Sequence, residues 1–441
     1  MRISLLLLFL IPFSQNVAAA AKIEHWQSAQ GSAVYYVHSD ALPLVDIRVI
    51  FDAGSARDGK QYGIASFTSA MLDSGAGEWN ADALARRFES VGARFGRDAS
   101  RDNASLSLRS LTDAKLFDKA LQTLQVILQK PKFAEADFRR KKNRILAGLK
   151  RREASPGALA SIAFYQALYG DHPYGHPVSG FIDSIEPLQV EDLKAFYRRY
   201  YVAANAMLVI VGDLNRQQAE QVAEKLLAGL PKGEKPQPLP AVAVPEKGSY
   251  RHIDFPSKQT HVLSGMPVLQ RDDPDYFALY LGNHILGGSG LVSRMFKEIR
   301  EKRGLAYSTY SYFSPLLRKG PFVMGLQTRN DQAEEAVSLL NKTLQDFIRQ
   351  GPTRKELVAA KKNITGGFVM NFDTNSELTN YVAMIGFYQK PLDYLDTFQQ
   401  HIEAVSTEDI RDAFKRRVHP KLLQTITVGN GSDLGKAPKK Q

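Results

Sequence analysis

The stretch Gly63–Gly77, GIASFTSAMLDSGAG, carries Ile64, Phe67 and Met71 at helical spacing, with Ala65, Thr68 and Leu72 widening the apolar stripe. Ser66 and Ala70, four residues apart, share the opposite face, and Ser69 sits beside them. A helix that works on a metal needs imidazoles or carboxylates at such positions. Two hydroxyls and a methyl group are poor ligands for zinc, and none accepts a proton from a metal-bound water near neutral pH. Nor do Ser66, Thr68 and Ser69 make a nucleophile site, because no His or Lys base is evident within Gly63–Gly77. The spacing predicts a helix, and its composition predicts no chemistry there.

Upstream of this helix, Ala33–His38 and Val45–Phe51 are rich in β-branched and aromatic residues between turn signals and read as strands. Ala53-Gly54-Ser55 turns the chain toward the helix. Downstream, Asp82–Val91 reads as a short amphipathic helix and Ala104–Ser110 as a half-buried strand, alternating Leu106 and Leu108 with Ser105, Ser107 and Arg109. Helices follow at Ala114–Gln129, Glu135–Arg152, Ala158–Leu168 and Val190–Tyr200, then a strand at Ala206–Val211. His172 and His176 have an i, i+4 spacing, but Pro173, Gly175 and Pro177 break any helix between them, so a structural loop is expected. His284, within Leu281–Leu286, reads as a packed or capping histidine.

Residues 231–248 change composition sharply, from Pro231 through Pro236, Pro238, Pro240 and Pro245 to Gly248, and read as a proline-rich linker. Beyond it the pattern returns. Val190-Glu191-Asp192-Leu193-Lys194 matches Thr407-Glu408-Asp409-Ile410-Arg411, and Val209-Ile210-Val211-Gly212 matches Ile426-Thr427-Val428-Gly429 at the same offset. Helix-then-strand pairs recurring in register mark a duplicated domain. Strands and helices mix without strict alternation in each half, so the fold class is α+β: two similar domains, each a mainly antiparallel sheet with helices packed on it. The expected organisation is a signal peptide at 1–21, one domain at 22–230, the linker at 231–248, a second domain at 249–435 and a tail at 436–441.

The signal peptide is read from Met1-Arg2, the apolar run Ile3–Phe13 and the small residues Ala18–Ala21. Cleavage near Ala20 and a periplasmic mature chain are expected. No later stretch approaches about 18 uninterrupted apolar residues, so no membrane span is expected in the mature chain. The 441 residues contain no cysteine, which excludes thiolate catalysis and cysteine-based metal sites. The formal charge is +11, and basic residues cluster in Arg139–Lys142 and Lys150–Arg152. These belong to a helix whose charges are expected to face solvent. No recognisable nucleic-acid-binding module accompanies them, so no nucleic-acid partner is expected.

The run Val45–Arg57 leading into the Gly63 helix, Asp171-His172-Pro173-Tyr174-Gly175, and above all an ordered string in the second half carry a resemblance. That string is Leu286-Gly287-Gly288-Ser289-Gly290, then Ser293-Arg294-Met295-Phe296, then Arg300-Glu301-Lys302-Arg303-Gly304-Leu305-Ala306-Tyr307-Ser308. Over nearly the whole mature chain, the sequence resembles the pitrilysin/insulinase family of zinc peptidases. Active members carry His-x-x-Glu-His on a helix, and those positions align with Ser66, Ser69 and Ala70 here. A third ligand, a Glu on a later helix, aligns at about Ala147 or Gly148. Glu153 lies near, but one carboxylate without the histidines does not hold a catalytic zinc. The resemblance thus implies no complete catalytic set and no metal in this chain.

It also implies a role for Arg300 and Tyr307, which match in type and spacing a pair that reaches substrate from the C-terminal domain. Leu291, Val292, Met295, Phe296 and Ile299 read as the apolar face of a helix that Gly304 ends. Tyr307 then opens a strand, with Thr309, Ser311 and Phe313 on its side. The family's architecture, two similar domains per half-shell and two half-shells per chamber, implies the non-catalytic subunit of a heterodimeric zinc peptidase. Its partner would be a paralogue with intact His-x-x-Glu-His, which holds the zinc, and its substrate a peptide. A catalytically silent peptide-binding or structural chamber protein is the alternative, and a symmetric dimer of this chain alone stays open.

Overall fold

The computed structural model describes residues 22–431, so the expected signal peptide and C-terminal tail lie outside the described residues. Two sheets organise the chain. The first has six strands in the order Glu24–Gln27, Ala33–His38, Ala206–Gly212, Leu44–Phe51, Ala104–Leu111 and Arg94–Ala99. The second has five: Ser249–Asp254, Gln424–Gly429, Gln259–Leu269, Gly320–Arg329 and Ala306–Phe313. In each sheet a single pair is parallel, Ala33–His38 with Ala206–Gly212 and Ser249–Asp254 with Gln424–Gly429. The other pairs are antiparallel. Setting aside the short first strand, the order and directions of the two sheets coincide, so the fold is α+β and internally duplicated.

Alternation along the strands decides which layer each sheet face meets. Val45, Ile47, Val49 and Phe51 point into a core shared with Ile64, Phe67 and Met71 of the helix Ile64–Met71. On the other face, Tyr35, Val37, Ile50, Met207 and Val209 belong to the core of the second half. The element that covers them is the helix Asn375–Phe387, which comes from the second half and packs on the first sheet. Its Gly386 passes so close that a Cβ there would meet Tyr35 at 2.6 Å and the Met207 sulfur at 2.7 Å. The exchange is reciprocal. Pro156–Tyr169 of the first half lies on the second sheet, where Phe164 packs with Val323, Ile426 and Val428. Burial of each large apolar side chain stabilises by roughly 1.5–3 kcal/mol, so the exchanged helices join the two halves through their cores.

A polar knot reinforces the join. Asp102, buried in a turn of the first half, accepts from the Tyr174 hydroxyl at 2.5 Å, the Leu317 amide at 2.9 Å and the Tyr388 hydroxyl at 3.0 Å. Residues 231–248 carry no helix or strand, yet they are strapped down rather than loose. Leu239 and Val242 are buried, and the Leu239 and Pro240 carbonyls bond Arg318 and His172.

The basic helix is less solvated than its composition predicts. Lys142 donates to the Leu188 carbonyl at 2.9 Å, and Arg152 donates to Ser179 and Gly180 at 2.6 and 2.7 Å. These cations anchor the helix Glu135–Glu153 to the loop and turn that follow it. Among the described residues, no helix is long and apolar enough to cross a membrane.

Candidate functional site

The helix Ile64–Met71 forms where the sequence places it, and the side chain that starts it is Asp58. Both carboxylate oxygens accept backbone amides, Gly63 N–H at 2.6 Å and Ala65 N–H at 3.0 Å, which satisfies donors a helix leaves free at its first turn. Burial pushes the Asp58 carboxyl up to about 8, against the pull of the two amides. His176 lies 3.8 Å away and is stacked on Tyr62, and burial holds its pKa below the usual value. His172 instead bonds the Pro240 carbonyl and accepts from the Tyr174 amide. The two rings face different partners and are parts of a structural loop.

Phe67 is buried and stacks on Phe138 at 5.0 Å, which fixes the helix against Glu135–Glu153. On the other face, Ser66 and Ala70 are half-buried. Ser69 is buried and donates a long bond of 3.4 Å to the Asp98 carbonyl. Ala147 is exposed, Gly148 is half-buried, and Glu153 is exposed at the helix end. Beyond the Ile64 helix, Asp73 is held by Arg97 at 3.0 Å and faces Lys141 at 3.9 Å. Zinc needs three or four nitrogen, sulfur or carboxylate donors converging at about 2.0–2.3 Å. These residues do not fit it, and no group of three or more His, Asp or Glu converges on a metal position among the described residues.

The second half differs. The helix Tyr276–Asn283 runs on into a π-turn, His284–Gly288, and after a 3-10 turn, Gly290–Val292, a second π-turn spans Phe296–Glu301. Asn283 and Ser311 exchange bonds of 2.7 and 3.1 Å that tie this assembly to the strand Ala306–Phe313. Arg294 forks onto Glu356 at 2.7 and 2.6 Å. Burial alone would raise the Glu356 carboxyl, but Arg294 and the Thr353 amide and hydroxyl hold it down at about 2. Burial also lowers His284, which sits half-buried in the first π-turn.

Two expectations need correcting here. Met295, Phe296 and Ile299 are buried, but Leu291 and Val292 are each 66% exposed, because the chain between Gly290 and Ser293 is a 3-10 turn and not part of one helix. Tyr307 does not share the side of Thr309, Ser311 and Phe313. The register slips between Ala306 and Thr309, a β-bulge that turns Tyr307 outward to 80% exposure while Thr309 and Ser311 stay buried. Bulges re-aim side chains in this way.

The bulge and the π-turn bring Arg300 and Tyr307 together. Gly304, at φ +62°, ends the turn, and its amide bonds the Arg300 carbonyl at 2.9 Å. The Arg300 guanidinium then lies 4.7 Å from the Tyr307 ring centroid and 4.8 Å from that of Phe296. Cation–π contact with both rings pre-orients a planar five-donor fork beside an exposed phenol. Among the described residues, no hydrogen bond, ion pair or aromatic contact links this pair to the Ser66–Ala70 face. The two lie on edges of different sheets.

Sequence reasoning missed Asp58 and Asp102. Asp58 carries a faint signal, an acid shortly before a helix start, whereas nothing local marks Asp102, whose partners lie 72 to 286 residues away.

Fold and site together define a duplicated α+β scaffold whose helix Ile64–Met71 carries no His, Asp or Glu. Residues 33–180 match the family model described as insulinase (peptidase family M16), and residues 187–364 match the peptidase M16 inactive domain. A crystal structure of a peptidase M16 inactive domain from Pseudomonas fluorescens superposes with a TM-score of 0.90 at 37% identity, covering 95% of this chain and all of that one. The non-peptidase homolog YmxG of Helicobacter pylori is 28% identical over 93% of this chain and 95% of its own. The structure of a Helicobacter pylori protease shares the fold, with a TM-score of 0.84 at 21% identity over 92% of this chain and 99% of that one. The chain belongs to the insulinase family of peptidases, M16. Within that family, Ser66 and Ala70 stand where the resemblance places two metal ligands, and Ser69 where it places the general base.

Proposed function

We propose that this chain is the non-catalytic subunit of a two-chain zinc peptidase acting on peptides in the periplasm. A paralogue with intact His-x-x-Glu-His supplies the zinc and the general base. This chain supplies Arg300, Tyr307 and the facing wall. The reading is carried by one observation: a guanidinium 4.7 Å from an exposed phenol ring, on a chain with Ser66 and Ala70 where the family's first two ligands align and Ser69 where its base aligns. Donors of this kind bind peptide carbonyls and stabilise the oxyanion as it develops, and they need no metal on their own chain.

Mixing the mature chain with such a paralogue tests the proposal. Arg300→Met and Tyr307→Phe are each expected to lower the rate of the reconstituted pair by roughly 10²-fold, the cost of removing one oxyanion donor. Unchanged rates in both variants would overturn it.

A further inference from the structure

We propose that the open face of the first sheet, beside the exchanged helix Asn375–Phe387, is a binding site for a peptide carboxylate. On that face the register aligns Arg109 with Asp46 and Arg94, and the next row aligns Arg48 with Ser107 and Gly96. The small residues of the second row leave the floor low. Two adjoining cavities of about 230 and 300 Å³ open above it, and Arg48 lines both. Arg271 and, from the exchanged helix, Asn380, Ala383, Met384 and Phe387 line the larger one, so the site is built from both halves.

The charges here are unequally committed. Asp46 is taken up by Arg109, which grips it with Nε at 3.0 Å and Nη2 at 3.0 Å. Asp98, exposed at the rim, is the other acid lining these cavities. The Nε atoms of Arg48 and Arg271 are buried and have no hydrogen-bond partner among the described residues. Neither Arg48 nor Arg271 forms an ion pair with a carboxylate among the described residues, and two such guanidinium groups lining one cavity favour an anion there. Arg271 is held in place with its guanidinium 5.0 Å from the Tyr388 ring centroid.

A cavity of this size lies at the lower bound for small-molecule sites, so it suits a single residue or a chain end and not a nucleotide. The carboxylate comes from an Asp or Glu side chain or from a peptide C-terminus. Naming a peptide as its carrier rests on the function proposed above, whereas the arginines and the cavity do not.

The test uses the full mature chain without a partner and a short labelled peptide with one central Glu, followed by fluorescence anisotropy. The peptide is made with Glu or Gln, and with a free or an amidated C-terminus. Removing the recognised carboxylate is expected to weaken binding about tenfold, and the series identifies which carboxylate it is. Arg48→Met and Arg271→Met are each expected to give a similar loss, Arg48→Lys a partial one, and Arg139→Met, on an exposed helix face, none.

Equal binding of all four peptides by the parent chain would overturn the site. So would undiminished binding by the folded Arg48→Met/Arg271→Met double variant. Should a variant melt early, the peptide series on the parent still decides. Arg300→Met, assayed in parallel, separates the two readings: an intact Arg300 effect on cleavage with no carboxylate preference sinks the pocket alone.

Discussion

In the first half, the helix Ile64–Met71 packs against the edge strand Arg94–Ala99; in the second, Tyr276–Asn283 and its π-turns pack against the edge strand Ala306–Phe313. The sheets beneath share one strand order, but the two edges present opposite things to solvent. The first offers Ser66 and Ala70 from a regular helix whose anchors, Asp58 and Phe67, are intact. The second breaks its helix twice and bulges its strand, so that Arg300 and Tyr307 stand out side by side. What holds such a helix in place is separable from what it does. Caps and stacked rings answer to the core, and ligands answer only to a metal.

Variants at the two edges should therefore separate stability from activity. Phe67→Ala empties a fully buried, stacked site and is expected to cost about 3–5 kcal/mol, read as a fall in denaturation midpoint. Arg300→Met and Tyr307→Phe should behave the other way. Each should shift stability by no more than about 1 kcal/mol, the worth of an exposed cation–π contact, while lowering the reconstituted rate by roughly 10²-fold. A Phe67 variant that melts like the parent, or a Tyr307 variant that unfolds, would break the comparison.

The two edges should also differ in pH dependence. Asp58 binds its proton more tightly folded, at about 8, than its ordinary value of 3.8. Its contribution is therefore full below that ordinary value and is lost as pH rises toward 8. Glu356, held at about 2 against an ordinary 4.5, works the other way, and its contribution is lost as pH falls from 4.5 toward 2. Asp58→Asn should flatten a stability–pH curve between 3.8 and about 8, and Glu356→Gln between 4.5 and about 2, both followed by denaturant titration. The smallest effect belongs to Ser66→Ala, a half-buried hydroxyl without a metal to bind, expected within about 0.5 kcal/mol of the parent and with an unchanged reconstituted rate.

Much of this was legible in sequence because it is written in local patterns. The Gly63 helix followed from Ile64, Phe67 and Met71, and the duplication from the match of Val190–Lys194 to Thr407–Arg411. The edge strand Arg94–Ala99 was not, since its residues, RFGRDA, are half-polar with a central glycine and show no apolar alternation. The exchange of Pro156–Tyr169 and Asn375–Phe387 was invisible too. Periodicity says that a helix has an apolar face, not which sheet receives it. The Arg300–Tyr307 spacing gave the pair, but the bulge that exposes Tyr307 is a one-residue slip against Gly320–Arg329, which only the paired strand reveals.

The central claim is that the Gly63 helix keeps its fold and has no metal chemistry. Zinc content and peptidase activity of the purified mature chain, alone and after mixing with a paralogue carrying intact His-x-x-Glu-His, test it most directly. The account predicts no zinc and no cleavage by the chain alone, and chelator-sensitive cleavage on mixing. Stoichiometric zinc with cleavage by the lone chain would contradict it.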